Sequence, residues 1–286
     1  MSVPRHKWVQ ALGHEIHVTL WGDPAKKPLV MWHGLARTGR DFDELARALS
    51  DTHFVLCPDT FGRGLSSWAQ SPETEYSVAH MADVAEALLD HFEIAQTGWL
   101  GTSMGGLIGM WLASGARAHR LNYLIINDIG PEVPQDAIER ILAYAGALPD
   151  FRTLVEAETW LRTVYAPFGD APDEFWRRMA MTSTRRRADG RLTLHYDPRI
   201  IVQFDVFAHE LLSWDRYAKI SLPTHVLAGA ESDILIPEIL DRMRAEGPLP
   251  RATIFENCGH APALANSRDI AIVRAIVDDL NSRARS

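Results

Sequence analysis

The first half of the chain alternates between uniformly apolar segments and amphipathic ones, and this alternation most limits the folds available to it. Strands buried on both faces are predicted by the apolar segments PLVMWHG (28–34), HFVLCPD (53–59) and LNYLIIND (121–128). Residues 77–92 instead place apolar side chains at helical spacing. Strands that alternate with helices predict an α/β fold: a mostly parallel sheet with helices on both faces.

The alternation stops at Gly130-Pro131 and resumes at about residue 222. Helix-like segments punctuated by prolines dominate the stretch between these points. About half of the aromatic residues fall there, although the stretch is about a third of the chain. We therefore predict a core formed by 1–130 and 222–286, with a helical cap over 131–221 whose aromatic side chains face a cleft.

Charge and cysteine content narrow the function classes. A net charge of −8 and a pI near 5.8 argue against a nucleic-acid or anionic-membrane partner. Two cysteines give no disulfide framework, and the N-terminal segment has no apolar signal region. No apolar run reaches membrane-spanning length. These features predict a cytoplasmic protein without membrane insertion, and they leave its oligomeric state open.

The pattern G-x-S-x-G occurs as Gly101-Thr102-Ser103-Met104-Gly105, between a predicted strand and a predicted helix. A sharp strand-to-helix turn of this kind exposes the serine and needs small neighbours, because the helix packs close to the strand. The free N–H of Met104 at the helix N-terminus would point to where a negative oxygen forms. The turn therefore predicts Ser103 as a nucleophile.

A serine hydroxyl needs a general base, and the base needs an acid that fixes its tautomer. His260, in a loop after the last predicted strand, is the candidate base. Asp233 is the preferred acid, since it follows the strand THVLAG (224–229) and precedes His260 by one helix and one strand. Asp128, which ends another strand at the same edge of the sheet, is the alternative acid.

Two histidines in the segment HEIH invite a metal interpretation. His14 and His17 lack the spacing of a helical zinc motif, and no third ligand is evident. The chain also lacks a P-loop and the glycine pattern of a dinucleotide site. We therefore predict no metal site and no organic cofactor.

The chain resembles the α/β-hydrolase superfamily from end to end. The resemblance rests on the order Ser…Asp…His and on five segments, namely GTSMGG (101–106), His33-Gly34, DTFGRGLS (59–66), GAESD (229–233) and GHAP (259–262). It implies an eight-stranded sheet with a helical cap inserted after the sixth strand. It also implies an oxyanion hole made by the backbone N–H groups of Leu35 and Met104, with His33 shaping the oxyanion loop.

What the resemblance implies about activity is hydrolysis through an acyl-enzyme. We expect a serine hydrolase of the carboxylesterase type, acting on a small or medium, largely apolar carboxylic ester. Hydrolysis of a C–C bond, a lactone or a thioester, and cofactor-free perhydrolysis, are alternatives on the same three residues. A ligand-binding receptor or sensor on this fold is an alternative of another class.

Overall fold

The computed structural model describes residues 3–284, and these form one large sheet, one small sheet and a set of helices. The strands of the described chain are β1 (Arg5–Ala11), β2 (His14–Trp21), β3 (Lys27–Trp32), β4 (His53–Pro58), β5 (Thr97–Thr102), β6 (Leu121–Asn127), β7 (Asp150–Phe151), β8 (Thr184–Arg186), β9 (Leu192–Leu194), β10 (Thr224–Gly229) and β11 (Arg251–Phe255). The α-helices are α1 (Asp43–Leu49), α2 (Pro72–Glu75), α3 (Val78–His91), α4 (Met104–Ala113), α5 (Gln135–Ala145), α6 (Leu154–Val164), α7 (Asp173–Ser183), α8 (Trp214–Tyr217), α9 (Pro237–Ala245) and α10 (Ser267–Arg283).

The large sheet has eight strands in the order β1-β2-β4-β3-β5-β6-β10-β11. Strand β2 runs antiparallel to both β1 and β4, and the remaining pairs are parallel. The predicted α/β class, with its mostly parallel eight-stranded sheet, is therefore confirmed. Because parallel strands end at the same edge, the segments that follow β3, β5, β6, β10 and β11 all meet at one edge of the sheet.

Helices cover both faces of this sheet, which explains why its central strands are apolar at every position. Along β3, Val30 and Trp32 pack on the face covered by α3, α4 and α9. Leu29 and Met31 pack on the opposite face, against α1 and α10. A strand with buried side chains on both faces cannot alternate between apolar and polar residues.

Helix α3 shows how closely local sequence fixes an element. The prediction for 77–92 matches the observed helix, and Ser77 is its N-cap. The Ser77 hydroxyl accepts a hydrogen bond from the His80 N–H at 3.0 Å, which satisfies one of the free donors in the first turn.

The segment predicted as a cap, 131–221, joins β6 to β10. It contains helices α5 to α8, in agreement with its predicted helical character, and also the small antiparallel sheet β7-β9-β8. This small sheet was not predicted. Its strands are only two or three residues long, too short to show a period-two pattern.

Contacts join the cap segment to the core on the side of the loop after β4. The N–H of Gly64 donates to the carbonyl of His195, and the N–H of Asp197 donates to the carbonyl of Gly62, both at 2.8 Å. Within residues 3–284 there is no helix of the length and apolar character needed to cross a membrane.

Candidate active site

Ser103 lies in the sharp turn between β5 and α4. Its backbone φ is +51°, a value that a residue with a side chain rarely adopts. The chain on either side is tightly packed: a Cβ on Gly101 would lie 2.1 Å from the Gly105 carbonyl oxygen, and one on Gly105 would lie 2.1 Å from the Trp32 carbonyl oxygen. The two glycines therefore let α4 approach the sheet, and the turn presents the Ser103 hydroxyl at the sheet edge.

His260 lies between this hydroxyl and a carboxylate. Its Nε2 is 2.9 Å from the Ser103 Oγ, and its Nδ1 is 2.8 Å from Oδ2 of Asp128. A carboxylate can only accept, so we assign the ring proton to Nδ1. Nε2 is then free to accept the proton of the serine hydroxyl, which is the arrangement that general-base catalysis requires.

Asp128 is fully buried and held from two directions. Its carboxylate accepts hydrogen bonds from the Gly229 N–H at 2.7 Å and from the Ser232 hydroxyl at 2.6 Å. Both donors belong to β10 and the loop after it, and β10 is the strand that pairs with β6. The two donors fix the carboxylate in its orientation toward His260.

The preference for Asp233 as the carboxylate beside His260 is therefore wrong, and the alternative, Asp128, occupies that place. Asp233 points instead to the cap, where both of its oxygens accept from Arg140, at 2.5 and 2.9 Å. The physical reason lies in the loop after β10. Ser232, one residue earlier, turns back to Asp128, while Asp233 lies half-exposed at the rim.

The loop after β3 carries Leu35, whose N–H is predicted to form an oxyanion hole together with the N–H of Met104. In the described chain, no hydrogen-bond acceptor lies within reach of the N–H of Leu35 or of Met104. Gly34 brings this loop against the serine, since a Cβ on Gly34 would lie 3.4 Å from the Ser103 Cβ. The structure thus leaves both of these N–H groups free for an external acceptor.

His33 forms hydrogen bonds both to this loop and to the loop after β4. Its Nδ1 donates to the Gly34 carbonyl at 2.7 Å, and its Nε2 accepts from the Thr60 N–H at 2.9 Å. Burial lowers the pKa of His33 to about 4, so the ring is neutral at physiological pH. A neutral ring can both donate and accept, as this bridge demands.

Two further residues of the site were missed from the sequence, although both lie in the quoted segment DTFGRGLS. Arg63 is fully buried, and its Nε donates to the Leu35 carbonyl at 2.8 Å, which fixes the oxyanion loop from behind. Asp59 accepts from the N–H groups of Gly39 and Leu65, and from Nδ1 of His17. Nothing in the local pattern distinguishes these buried contacts from ordinary turn-forming residues.

The histidines of HEIH each lie within hydrogen-bonding distance of other side chains. His17 bridges Asp59 and His6, with 2.8 Å and 2.9 Å between the bonded atoms, while Nε2 of His14 lies 3.1 Å from Nε2 of His80. Among residues 3–284, no three histidine, cysteine or acidic side chains are grouped so that they could hold a metal ion.

A cavity of about 780 Å³ opens above Ser103 and His260. This volume lies within the usual range for small-molecule sites. Cap residues form much of the wall, and apolar or aromatic side chains among them are Ile141, Ala143, Tyr144, Val164, Tyr165, Ala166, Pro167 and Phe168. Four charged residues also line it: Arg37, Arg140, Glu231 and Asp233.

Comparisons with known proteins show which family the chain resembles. Residues 29–273 match the sequence model of the alpha/beta hydrolase family. The 3-hydroxybutyrate-oligomer hydrolase of Cupriavidus necator is 37% identical over 283 residues, which cover 94% of this chain and 96% of that protein.

Two other similarities are more distant. The pimeloyl-[acyl-carrier protein] methyl ester esterase of Vibrio cholerae is 24% identical, over 84% of this chain and 89% of the esterase. The crystal structure of an alpha/beta hydrolase from Novosphingobium aromaticivorans superimposes with a TM-score of 0.81 at 30% identity, covering 97% of this chain and 99% of that one.

Proposed function

The chain belongs to the alpha/beta hydrolase family, and from this premise we propose that it hydrolyses carboxylic esters through Ser103, His260 and Asp128. The observation that carries the proposal is the hydrogen-bonded series from Asp128 through His260 to Ser103, which ends at the floor of the cavity. A nucleophile, a base and an orienting acid in this order are the parts that acyl transfer needs.

The proposed reaction has two halves. The Ser103 Oγ attacks the ester carbonyl carbon while His260 Nε2 takes the hydroxyl proton, and the carbonyl oxygen becomes an oxyanion that the N–H groups of Leu35 and Met104 stabilise. The intermediate collapses to an acyl-enzyme, and the proton on Nε2 passes to the departing alkoxide, which leaves as an alcohol. Water then attacks the acyl group by the same route, releasing the carboxylic acid and restoring the serine.

Asp128 orients the His260 ring throughout this cycle. Its carboxylate is held by the Gly229 N–H and the Ser232 hydroxyl, and it keeps the ring proton on Nδ1. When Nε2 is also protonated, the carboxylate stabilises the imidazolium.

For the substrate we propose short esters of hydroxy acids. The support is the full-length similarity to a hydrolase of 3-hydroxybutyrate oligomers, together with a cavity of small-molecule size whose cap wall is largely apolar. A linear oligomer of a hydroxy acid is joined by ester bonds and ends in a hydroxyl at one end and a carboxylate at the other. Such a molecule is small, and its methyl-bearing backbone fits an apolar wall.

The test is Ser103→Ala, measured on the 3-hydroxybutyrate dimer and on a chromogenic butyrate ester. Loss of the nucleophile should lower kcat by about 10⁴- to 10⁶-fold on both. A serine-directed phosphonate should add one adduct mass to the wild-type protein, at Ser103, and none to the variant. A variant that folds as judged by circular dichroism and retains more than a tenth of the activity would disprove the proposal.

A further inference from the structure

The rim of the active-site cavity carries an ion pair that the proposed acyl-transfer chemistry does not use. Arg140 of α5 donates through Nε and Nη2 to both oxygens of Asp233, which follows β10. Both residues line the same cavity as Ser103 and His260. The pair therefore joins cap to core at the entrance, within the volume that a substrate would occupy.

The pair is exposed to solvent: 44% of the Arg140 side chain and 48% of the Asp233 side chain are accessible. An exposed ion pair contributes little to stability, because water solvates both groups almost as well as they solvate each other. Replacing one carboxylate partner of Arg140 by another carboxylate is therefore nearly neutral in free energy. The Arg140 guanidinium can thus exchange one bound carboxylate for another.

Arg37, the other cation of the cavity, does not share this property. Its Nε and Nη2 donate to the two oxygens of Asp41 at 2.8 and 2.7 Å, and Nη2 also donates to the Ser183 hydroxyl. Its side chain is only 5% exposed, and its guanidinium stacks over the ring of Tyr165. The buried Nη1 of Arg37 has no hydrogen-bond partner within residues 3–284, but the side chain is packed between cap and core, so Arg140 is the half-exposed cation that a substrate can reach.

We propose that Arg140 is a specificity-determining residue that binds the free carboxylate of the substrate, and that Asp233 is the internal carboxylate that the substrate displaces. The guanidinium fork binds a carboxylate through two parallel hydrogen bonds. The inference rests on the proposed ester hydrolysis at Ser103 and adds which end of the molecule is recognised. An ester of a hydroxy acid would lie with its carboxylate at the rim and its scissile carbonyl at Ser103.

The two acidic residues that line the cavity make the charge of Arg140 important for binding a carboxylate. Without the Arg140 guanidinium, Glu231 and Asp233 would leave the rim negatively charged, because Arg37, the other cation of the cavity, is buried and paired with Asp41. That field would repel a substrate carboxylate. Without the Asp233 carboxylate, Arg140 would have no internal competitor. Removing the Arg140 guanidinium and removing the Asp233 carboxylate should therefore shift the selectivity for a carboxylate substrate in opposite directions. If the ion pair only held the cap to the core, the two changes would not have opposite effects.

The experiment compares two probes, the 3-hydroxybutyrate dimer and the same dimer with its terminal carboxylate converted to a carboxamide. The readout is the ratio of kcat/KM for the carboxylate probe to that for the carboxamide probe. Arg140→Gln should lower this ratio about tenfold, the scale of a charge-assisted hydrogen bond that is partly exposed. Asp233→Asn should raise it, and Arg140→Lys, which keeps the charge without the fork, should fall between Arg140→Gln and the wild type.

Arg152→Gln is the matched control, because Arg152 forms an exposed ion pair with Glu156 in the cap and does not line the cavity. It should leave the ratio at the wild-type value. The inference is overturned if Arg140→Gln and Arg152→Gln give the same ratio, or if Arg140→Gln and Asp233→Asn shift it in the same direction. Failure of the proposed ester hydrolysis is distinct, since the wild type would then hydrolyse neither probe.

Discussion

Asp128 and Asp233 follow neighbouring strands at one edge of the sheet, yet they meet opposite environments. Asp128 is fully buried and accepts hydrogen bonds from His260, Ser232 and the Gly229 N–H. Asp233 is about half exposed and pairs with Arg140 of the cap. A position at this edge of the sheet makes a carboxylate a candidate partner for His260. The hydrogen-bond donors around each carboxylate decide which one is oriented toward that ring.

The largest effect should separate the two aspartates directly. Asp128→Asn should lower kcat on a butyrate ester by about 10⁴-fold, because the amide favours the wrong tautomer of His260. Asp233→Asn should lower it by less than about tenfold, since Asp233 contacts neither Ser103 nor His260. Both variants are measured on one ester by steady-state kinetics. A near-inactive Asp233→Asn beside an active Asp128→Asn would reverse our assignment.

Like Asp128, the His33 side chain is buried, and its burial predicts that the stability of the protein depends on pH. Burial lowers the pKa of His33 from 6.5 to about 4, so between these values the unfolded chain binds a proton that the folded chain does not. The stability is therefore complete above about pH 6.5 and falls as the pH drops toward 4. From pH 7 to pH 5, His33 alone should lower the free energy of unfolding by about 2 kcal/mol.

Urea unfolding at pH 7 and pH 5 measures this loss. Burial also lowers the pKa of His225 to about 4, so His33→Gln should remove only part of the wild-type pH dependence. The His33→Gln variant lacks the titrating ring. Its loss in free energy of unfolding between pH 7 and pH 5 is compared with the loss in the wild type. If His33→Gln loses as much stability on acidification as the wild type, His33 is not held neutral in the folded protein.

The smallest effect concerns Ser232, the sequence neighbour of Asp233 that bonds to Asp128 instead. Its hydroxyl donates to the same Asp128 oxygen that faces His260, and it accepts from the Leu235 N–H at 3.0 Å. Ser232→Ala should lower kcat/KM on the butyrate ester by about three- to tenfold, because Asp128 loses one of the hydrogen bonds that hold it toward His260. Ser232→Thr keeps the hydroxyl and should recover most of the rate. Equal rates for all three proteins would show that this bond does not support catalysis.

The elements of the site that depend on neighbouring residues were predictable. The Gly-rich turn around Ser103 follows from sterics within six residues, and the loop that carries His260 follows from its place after an apolar strand. The free N–H of Met104 follows from its position at a helix start. The sheet class followed from alternation along the chain, which is also a local property. Each of these features depends on residues within one strand, turn or helix.

The features that the sequence left open all join distant segments. Asp128 lies 132 positions from His260, and 104 from the Ser232 hydroxyl that orients it. The brace from Arg63 to the Leu35 carbonyl and the small sheet of the cap likewise depend on how distant segments pack.

The sequence by itself determined the fold class and the sharp turn that presents Ser103, because short-range sterics and hydrophobic periodicity act within single elements. Only the tertiary structure decided between the two aspartates. Burial and hydrogen bonding are set by which strands pair, and the pairing of β6 with β10 encloses Asp128 while leaving Asp233 at the rim beside Arg140. A carboxylate's environment is made by its neighbours in space.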